Sequence, residues 1–130
     1  MKTIKELLIW AEAENACLDG IERASYAKDF DDLSNYLGGS DWIWLLKKRP
    51  KFSIFCDWKK LDGINWCSLL FEQPYFSKFC DWKKLDGYDW SALLIEHPHF
   101  SEFCEWEKLS GDCWSWLLIN QPHLSKYKPQ

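Results

Sequence analysis

Large apolar residues fall in a fixed rhythm along most of this chain. W-x-x-L-L recurs every 24 residues, with Trp42, Trp66, Trp90 and Trp114 followed by Leu45-Leu46, Leu69-Leu70, Leu93-Leu94 and Leu117-Leu118. Three large groups at i, i+3 and i+4 share one face of a helical turn, whereas a strand would alternate. The spacing therefore predicts four short α-helices. Asp41, Asn65 and Asp89 each precede one tryptophan and Cys113 precedes the fourth, so three of the helices are read as opening on a side-chain N-cap just before the indole. Pro50, Pro74, Pro98 and Pro122 then end them, because proline lacks the amide donor and forces its predecessor out of helical geometry.

Beyond each proline, Phe52, Phe55 and Cys56 repeat the same i, i+3, i+4 face, as do Phe76, Phe79 and Cys80, and Phe100, Phe103 and Cys104. A second short helix is expected there, with proline in its first turn. Trp58 and Leu61 fall out of phase with that face while Asp57 stands as a new N-cap, which predicts a break and one further turn, W-K-K-L. Gly63, Gly87 and Gly111 are read as left-handed residues closing that turn. Helices this short are marginal alone, so each unit has to bury its apolar face against its neighbours. The expected fold class is all-α, a short-helix tandem-repeat α-solenoid with a 24-residue period. Its expected core is Trp42, Trp58, Trp66, Trp82, Trp90, Trp106 and Trp114 with Cys56, Cys80 and Cys104.

Residues 1–41 do not follow that tryptophan pattern and are read as an N-terminal helical cap, with LLIWAEA helical in composition and Gly38-Gly39 leading into the first W-helix. Residues 42–122 are the repeats. Residues 123–130 are read as a C-terminal cap or tail, where Leu124 and Tyr127 replace phenylalanines and Lys128 replaces cysteine, changes expected to turn a buried face into a wettable one. Trp44 and Trp116 share a helix position filled elsewhere by Ser68 and Ala92, and are expected to cap the core or stay partly exposed.

Composition narrows the function classes. A chain of 130 residues holds one modest core, and ten tryptophans make it unusually aromatic. The net charge of −4 is concentrated at the start: residues 1–41 hold nine acidic against four basic side chains, and the remainder eleven against twelve. Nucleic acid is therefore not the default partner. The apolar run Leu7 to Ala11 is flanked by Glu6 and Glu12 and is too short for an export signal, and no run approaches a membrane span. A cytoplasmic location is expected. The six cysteines then need no disulfide framework. Cys56, Cys80 and Cys104 occupy one repeat position, so in a stack they would lie about 10 Å apart, beyond the roughly 7 Å reach of a disulfide; buried free thiols are expected.

The run from Asp81 to Leu94, DWKKLDGYDWSALL, resembles tandem tryptophan-rich repeats of uncharacterised bacterial proteins. Ala16-Cys17-x-x-Gly20, together with Trp42-Ile43-Trp44-Leu45-Leu46, is similar to a segment of small bacterial and phage proteins. These resemblances imply a repeat fold and no chemistry.

The candidate chemistry is sparse. Neither C-x₂₋₄-C nor H-x₃₋₅-H occurs, so no metal and no cofactor is expected, and exposed-loop placement accounts for His97, His99 and His123. Nothing in the sequence orients Cys104 against His97 or His99 as nucleophile and base, so no catalytic residue is assigned and no enzyme is expected. Lys47 to Lys51, KKRPK, is explained by cations at a helix C-terminus. Lys59-Lys60 and Lys83-Lys84 with Tyr75 and Tyr88 suggest a stripe for single-stranded nucleic acid, broken by Glu107. Positions that vary while the core repeats are expected on the surface, which gives Ile64, Tyr75, Tyr88, His99 and His123 as the candidate binding residues. The leading expectation is a non-enzymatic protein–protein interaction module with a protein partner. Its alternatives are a phage-type inhibitor that blocks a host defence enzyme sterically, and nucleic-acid binding.

Overall fold

The computed structural model describes residues 1–129, and all the regular structure among them is helical. The fold is an all-α tandem repeat of short helices, the α-solenoid class. The described residues form six α-helices, with 3-10 segments between the later ones: α1 Ile4–Ala13, α2 Leu18–Ser25, α3 Gly39–Lys48, α4 Gly63–Glu72, α5 Gly87–Glu96 and α6 Gly111–Asn120. After each of α3 to α6 the proline opens a six-residue 3-10 helix, Pro50–Phe55, Pro74–Phe79, Pro98–Phe103 or Pro122–Tyr127. Single 3-10 turns Trp58–Lys60, Trp82–Lys84 and Trp106–Lys108 follow the first three of these. The chain forms two compact units, Met1–Leu61 and the part from Asp62 onward.

The W-helices begin three residues earlier than the tryptophan pattern suggests. Asp62, Asp86 and Ser110 are the N-caps, and the polar residue before the tryptophan lies at the third helical position. In α5 the Asp89 amide donates to Asp86 Oδ1 at 2.8 Å, and the Asp86 amide donates back to Asp89 Oδ2 at 3.0 Å. Asp62 and Asn65 exchange the same pair of bonds in α4. This reciprocal capping box satisfies two orphan donors at once. In α3 the N-cap is Gly38, which has no side chain to contribute, so Asp41 alone closes the box by accepting the Gly38 amide at 2.9 Å.

The glycines are correspondingly not left-handed closers, and none of the described ones has positive φ. They open the α-helices, and Gly63 and Gly87 are needed for close approach, whereas a Cβ on Gly111 would meet nothing within 4 Å. A Cβ on Gly63 would stand 2.2 Å from the carbonyl oxygen of Lys84, and one on Gly87 would stand 2.3 Å from that of Lys108. The tryptophan turns Trp82–Lys84 and Trp106–Lys108 thus each lie across the first residue of the preceding helix.

In the unit from Asp62 onward, α4 packs on α5 and α5 on α6. Trp66, Trp90 and Trp114 are buried with Leu69, Leu70, Leu93, Leu94 and Leu117, and Leu118 is half-buried. Trp82 lies between two rings, stacked on Trp90 at 5.2 Å and on Phe103 at 5.0 Å. Trp106 is held the same way between Trp114 at 5.3 Å and Tyr127 at 4.6 Å. Polar stitches bind neighbouring repeats: His97 Nε2 lies 2.8 Å from the Phe71 carbonyl, and Gln121 Nε2 donates to the Ile95 carbonyl at 2.8 Å. Lys108 Nζ donates to the carbonyls of Lys83 and Leu85 at 2.8 and 2.9 Å.

Leu124 is as buried as Phe100, and Tyr127 is exposed to about the same degree as Phe103. The substitutions at these two positions therefore keep the burial pattern of the repeat, while Lys128 is exposed where Cys56, Cys80 and Cys104 are half-buried. The position of Phe79, Phe103 and Tyr127 borders solvent in these three copies, whereas Phe55 in the first is half-buried.

The unit Met1–Leu61 uses other residues to the same end. α1 packs on α2, and Trp10 meets Trp44 at 5.4 Å. The 3-10 segment Phe30–Asn35 packs on Pro50–Phe55, Phe30 lying 5.0 Å from Phe52. Ser34 Oγ donates to the Phe55 carbonyl and accepts the Asp57 amide. Burial repeats from Leu37, which matches the closed positions of Leu61, Leu85 and Leu109.

Candidate functional site

Ile64 and Tyr88 stand second in α4 and α5, one residue after the capped start, where the side chain faces away from the helix's apolar side; they are 71% and 63% exposed. Their helices pack together, and the two side chains hold the same helix position one repeat apart. Tyr75, His99 and His123 follow the prolines, and all three are exposed. A ten-residue helix is about 15 Å long, which places these three near the opposite ends of the helices from Ile64 and Tyr88. The five candidates therefore form two edges and not one patch.

The structure adds exposed apolar residues that periodicity did not single out. Ile54 is 81% and Ile119 80% exposed. Both sit on helical segments whose other faces are buried, and the only sequence signal for them is their position off the repeating apolar phase. Trp44 is half-buried against Trp10, and Trp116 is exposed.

The residues assigned to the core divide into two groups. Trp42, Trp66, Trp90 and Trp114 are buried, whereas Trp58, Trp82 and Trp106 are half-buried. Cys56, Cys80 and Cys104 are likewise half-buried, not buried as expected, and are free thiols. They directly follow the last 3-10 phenylalanine, where the backbone turns extended and leaves one side open. Their surroundings still suppress the thiolate: desolvation first, then a neighbouring Asp57, Asp81 or Glu107, pushes each up to about 12. Such thiols are poor nucleophiles at neutral pH.

The histidines do not converge on a metal geometry. His97 is engaged with the Phe71 carbonyl, and His99 packs its ring on Phe100 at 4.2 Å. Among the described residues no group of three His, Cys, Asp or Glu side chains is gathered as a metal site would require.

A concave site lies in the first unit, where no candidate was expected. A cleft of about 440 Å³ opens between α1, α2 and α3. Ala11, Ala16, Gly20 and Ala24 leave the space, and Leu7, Ile21 and Trp44 are among the larger groups that wall it. Its polar pole is Arg23 with Asp41. Arg23 Nε and Nη2 donate to Asp41 Oδ2 and Oδ1, both at 2.8 Å. Burial pushes the Asp41 carboxyl up, but the Arg23 hydrogen bonds and the Gly38 amide outweigh it, and the net displacement is below the ordinary carboxylate value. Gly20 is needed for this approach, since a Cβ there would stand 2.9 Å from Asp41 Oδ1.

The cleft's rim is shaped by the end of α1. Asn15 is left-handed with φ 62°. The Ala16 amide donates to the Ala11 carbonyl and the Asn15 amide to that of Glu12, the two bonds of a Schellman motif, for which asparagine is the usual substitute for glycine. The signal in sequence was the cluster of small residues Ala16, Gly20 and Ala24, which carries no 24-residue period.

Comparison of the chain with protein-family models, with curated proteins and with solved structures finds no match.

Proposed function

We propose that this chain is a non-enzymatic recognition module that binds another protein through apolar side chains at the variable positions of its repeats. The observation that carries the reading is the pair Ile64 and Tyr88. They occupy the same position on packed neighbouring helices and are 71% and 63% exposed, while the leucines and tryptophans of those helices are closed. Packed helices lie about 8–10 Å apart, so the two side chains present an anchor pair of the kind that dominates protein interfaces, where large side chains seat in a partner's pockets.

The suppressed thiols of Cys56, Cys80 and Cys104 favour binding over thiol chemistry. Nucleic acid is the weaker reading, because Lys108, the third copy of the basic turn, spends its ammonium on two backbone carbonyls. No described helix is long and apolar enough to cross a membrane, and unpaired thiols fit a reducing cytoplasm. Blockade of a host defence enzyme would be one form of such binding.

The test compares the wild-type chain with the double variant Ile64→Ser, Tyr88→Ser in cross-linked capture from cell lysate. The expected result is a discrete protein retained by the wild type and lost by the variant, with both chains melting within a degree or two of each other. Retention of the same protein by both, or of none by either, overturns the proposal.

A further inference from the structure

We propose that the cleft between α1, α2 and α3 is a binding site for a small amphipathic carboxylate, with its head on Arg23 and its apolar body between the helices. The cleft's volume of about 440 Å³ lies within the range typical of small-molecule sites, which are mostly apolar with a few fixed polar groups. Here the apolar walls come from Leu7, Ile21 and Trp44, and the polar pole from Arg23.

The sign of the ligand's head follows from how the ion pair is used. Asp41 is the closed partner: its side chain is 9% exposed and accepts from Arg23 Nε, Arg23 Nη2 and the Gly38 amide. Oδ2 takes two of these bonds and Oδ1 one, so a ligand cation would meet a carboxylate already paired with a guanidinium. Arg23 is the open partner. Its side chain is 44% exposed, its Nε and one Nη2 hydrogen are fixed on Asp41, and Nη1 keeps both donors without a protein partner among the described residues. A guanidinium held rigid on one side offers its remaining donors at little ordering cost, and charge-assisted bonds to a carboxylate are the strongest it can make. Asp19 also acts on Arg23 electrostatically. The head is therefore held by direct hydrogen bonds and not by a general positive field.

The vacancy is built by the fold. α1, α2 and the turn between them present Ala11, Ala16, Gly20 and Ala24 to the cleft, so an apolar ligand body takes the place that larger side chains would fill.

The probes are octanoate, octylamine and octan-1-ol, titrated into the full chain by calorimetry and by amide chemical shifts. Octanoate is expected to bind about tenfold more tightly than the other two, with shifts centred on α1, α2 and the start of α3. Arg23→Gln should weaken octanoate about tenfold. Because that change also breaks the ion pair with Asp41, Ala24→Leu provides the second variant: it fills the cleft and should abolish binding while the melting temperature holds or rises. Equal or tighter binding of the amine or the alcohol overturns the proposal, as do shifts spread over the α4 to α6 surface, or octanoate affinity unchanged by Ala24→Leu.

Discussion

Asp41 and Asp89 hold the same repeat position and accept the same capping amide, yet their surroundings drive them in opposite directions. Asp41 has Arg23 and is held below the ordinary carboxylate value despite desolvation. Asp89 faces desolvation first, then the charges of Asp86 and Asp62, and its backbone hydrogen bond does not compensate, so it is raised. The stability signs follow from linkage. Asp41 contributes stability that is fully present above the unfolded carboxylate value and is lost as pH falls through its lower folded value. Asp89 is the reverse: its contribution declines as pH rises through its elevated folded value, leaving a cost at neutrality. Asn65 shows that asparagine makes the same capping box, and Asp86 at the N-cap keeps a negative charge for the helix dipole. Asp89→Asn is therefore expected to stabilise the protein at pH 7 by a few tenths of a kcal/mol, a gain that disappears near pH 3, while Asp41→Asn costs about 1 kcal/mol. Urea titrations of both variants at pH 7 decide the point, and midpoints that move the same way refute it.

At the scale of the element, the glycine that opens each W-helix is a spacer, and its importance depends on what lies above it. The Lys108 carbonyl lies over Gly87, whereas nothing lies within 4 Å of the Cβ position of Gly111. Gly87→Ala must push two backbones apart and is expected to cost about 1–3 kcal/mol. Gly111→Ala meets open space in a helical conformation and is expected to gain about 0.4–1 kcal/mol, by restricting the unfolded chain. Equal effects in thermal melts would contradict this account. These same glycines mark how far the pattern could be read. The i, i+3, i+4 spacing and the prolines located every W-helix and its end, because apolar phase and a missing donor act locally. The starting phase was hidden, since an aspartate serves equally well at the N-cap and at the third helical position of a capping box. The glycine's role was hidden because left-handed φ and close approach demand the same residue. Ile64, Tyr75 and Tyr88 were legible as surface by their variation between copies. The cleft was not, because it depends on what α1 and α2 lack, and small side chains carry no period.

Within the unit from Asp62 onward, the bonds that join one repeat to the next connect residues about one period apart. In the unit from Asp62 onward the stacking partners are successive helices, α4 with α5 and α5 with α6, and the stitching bonds span 22 to 26 residues. Stability in such an array is approximately a sum of repeat and neighbour terms. Trp90 and Trp114 provide a matched comparison. Each is closed to solvent, 0% and 3% exposed, and each stacks on the indole of its own preceding turn at nearly the same distance. They differ in that α5 is covered by a repeat helix on both sides and α6 packs on one, α5. Either truncation to alanine removes a buried indole and should cost about 3–5 kcal/mol. Because the cavity at Trp90 loosens two neighbour interfaces and that at Trp114 one, Trp90→Ala is expected to exceed Trp114→Ala by on the order of 1 kcal/mol. Hydrogen exchange should then show α4, α5 and α6 all losing protection in the first variant and chiefly α6 in the second. Equal costs with protection lost only in the mutated helix would mean that each repeat stands on its own local packing, and the stacking account of this fold would fail.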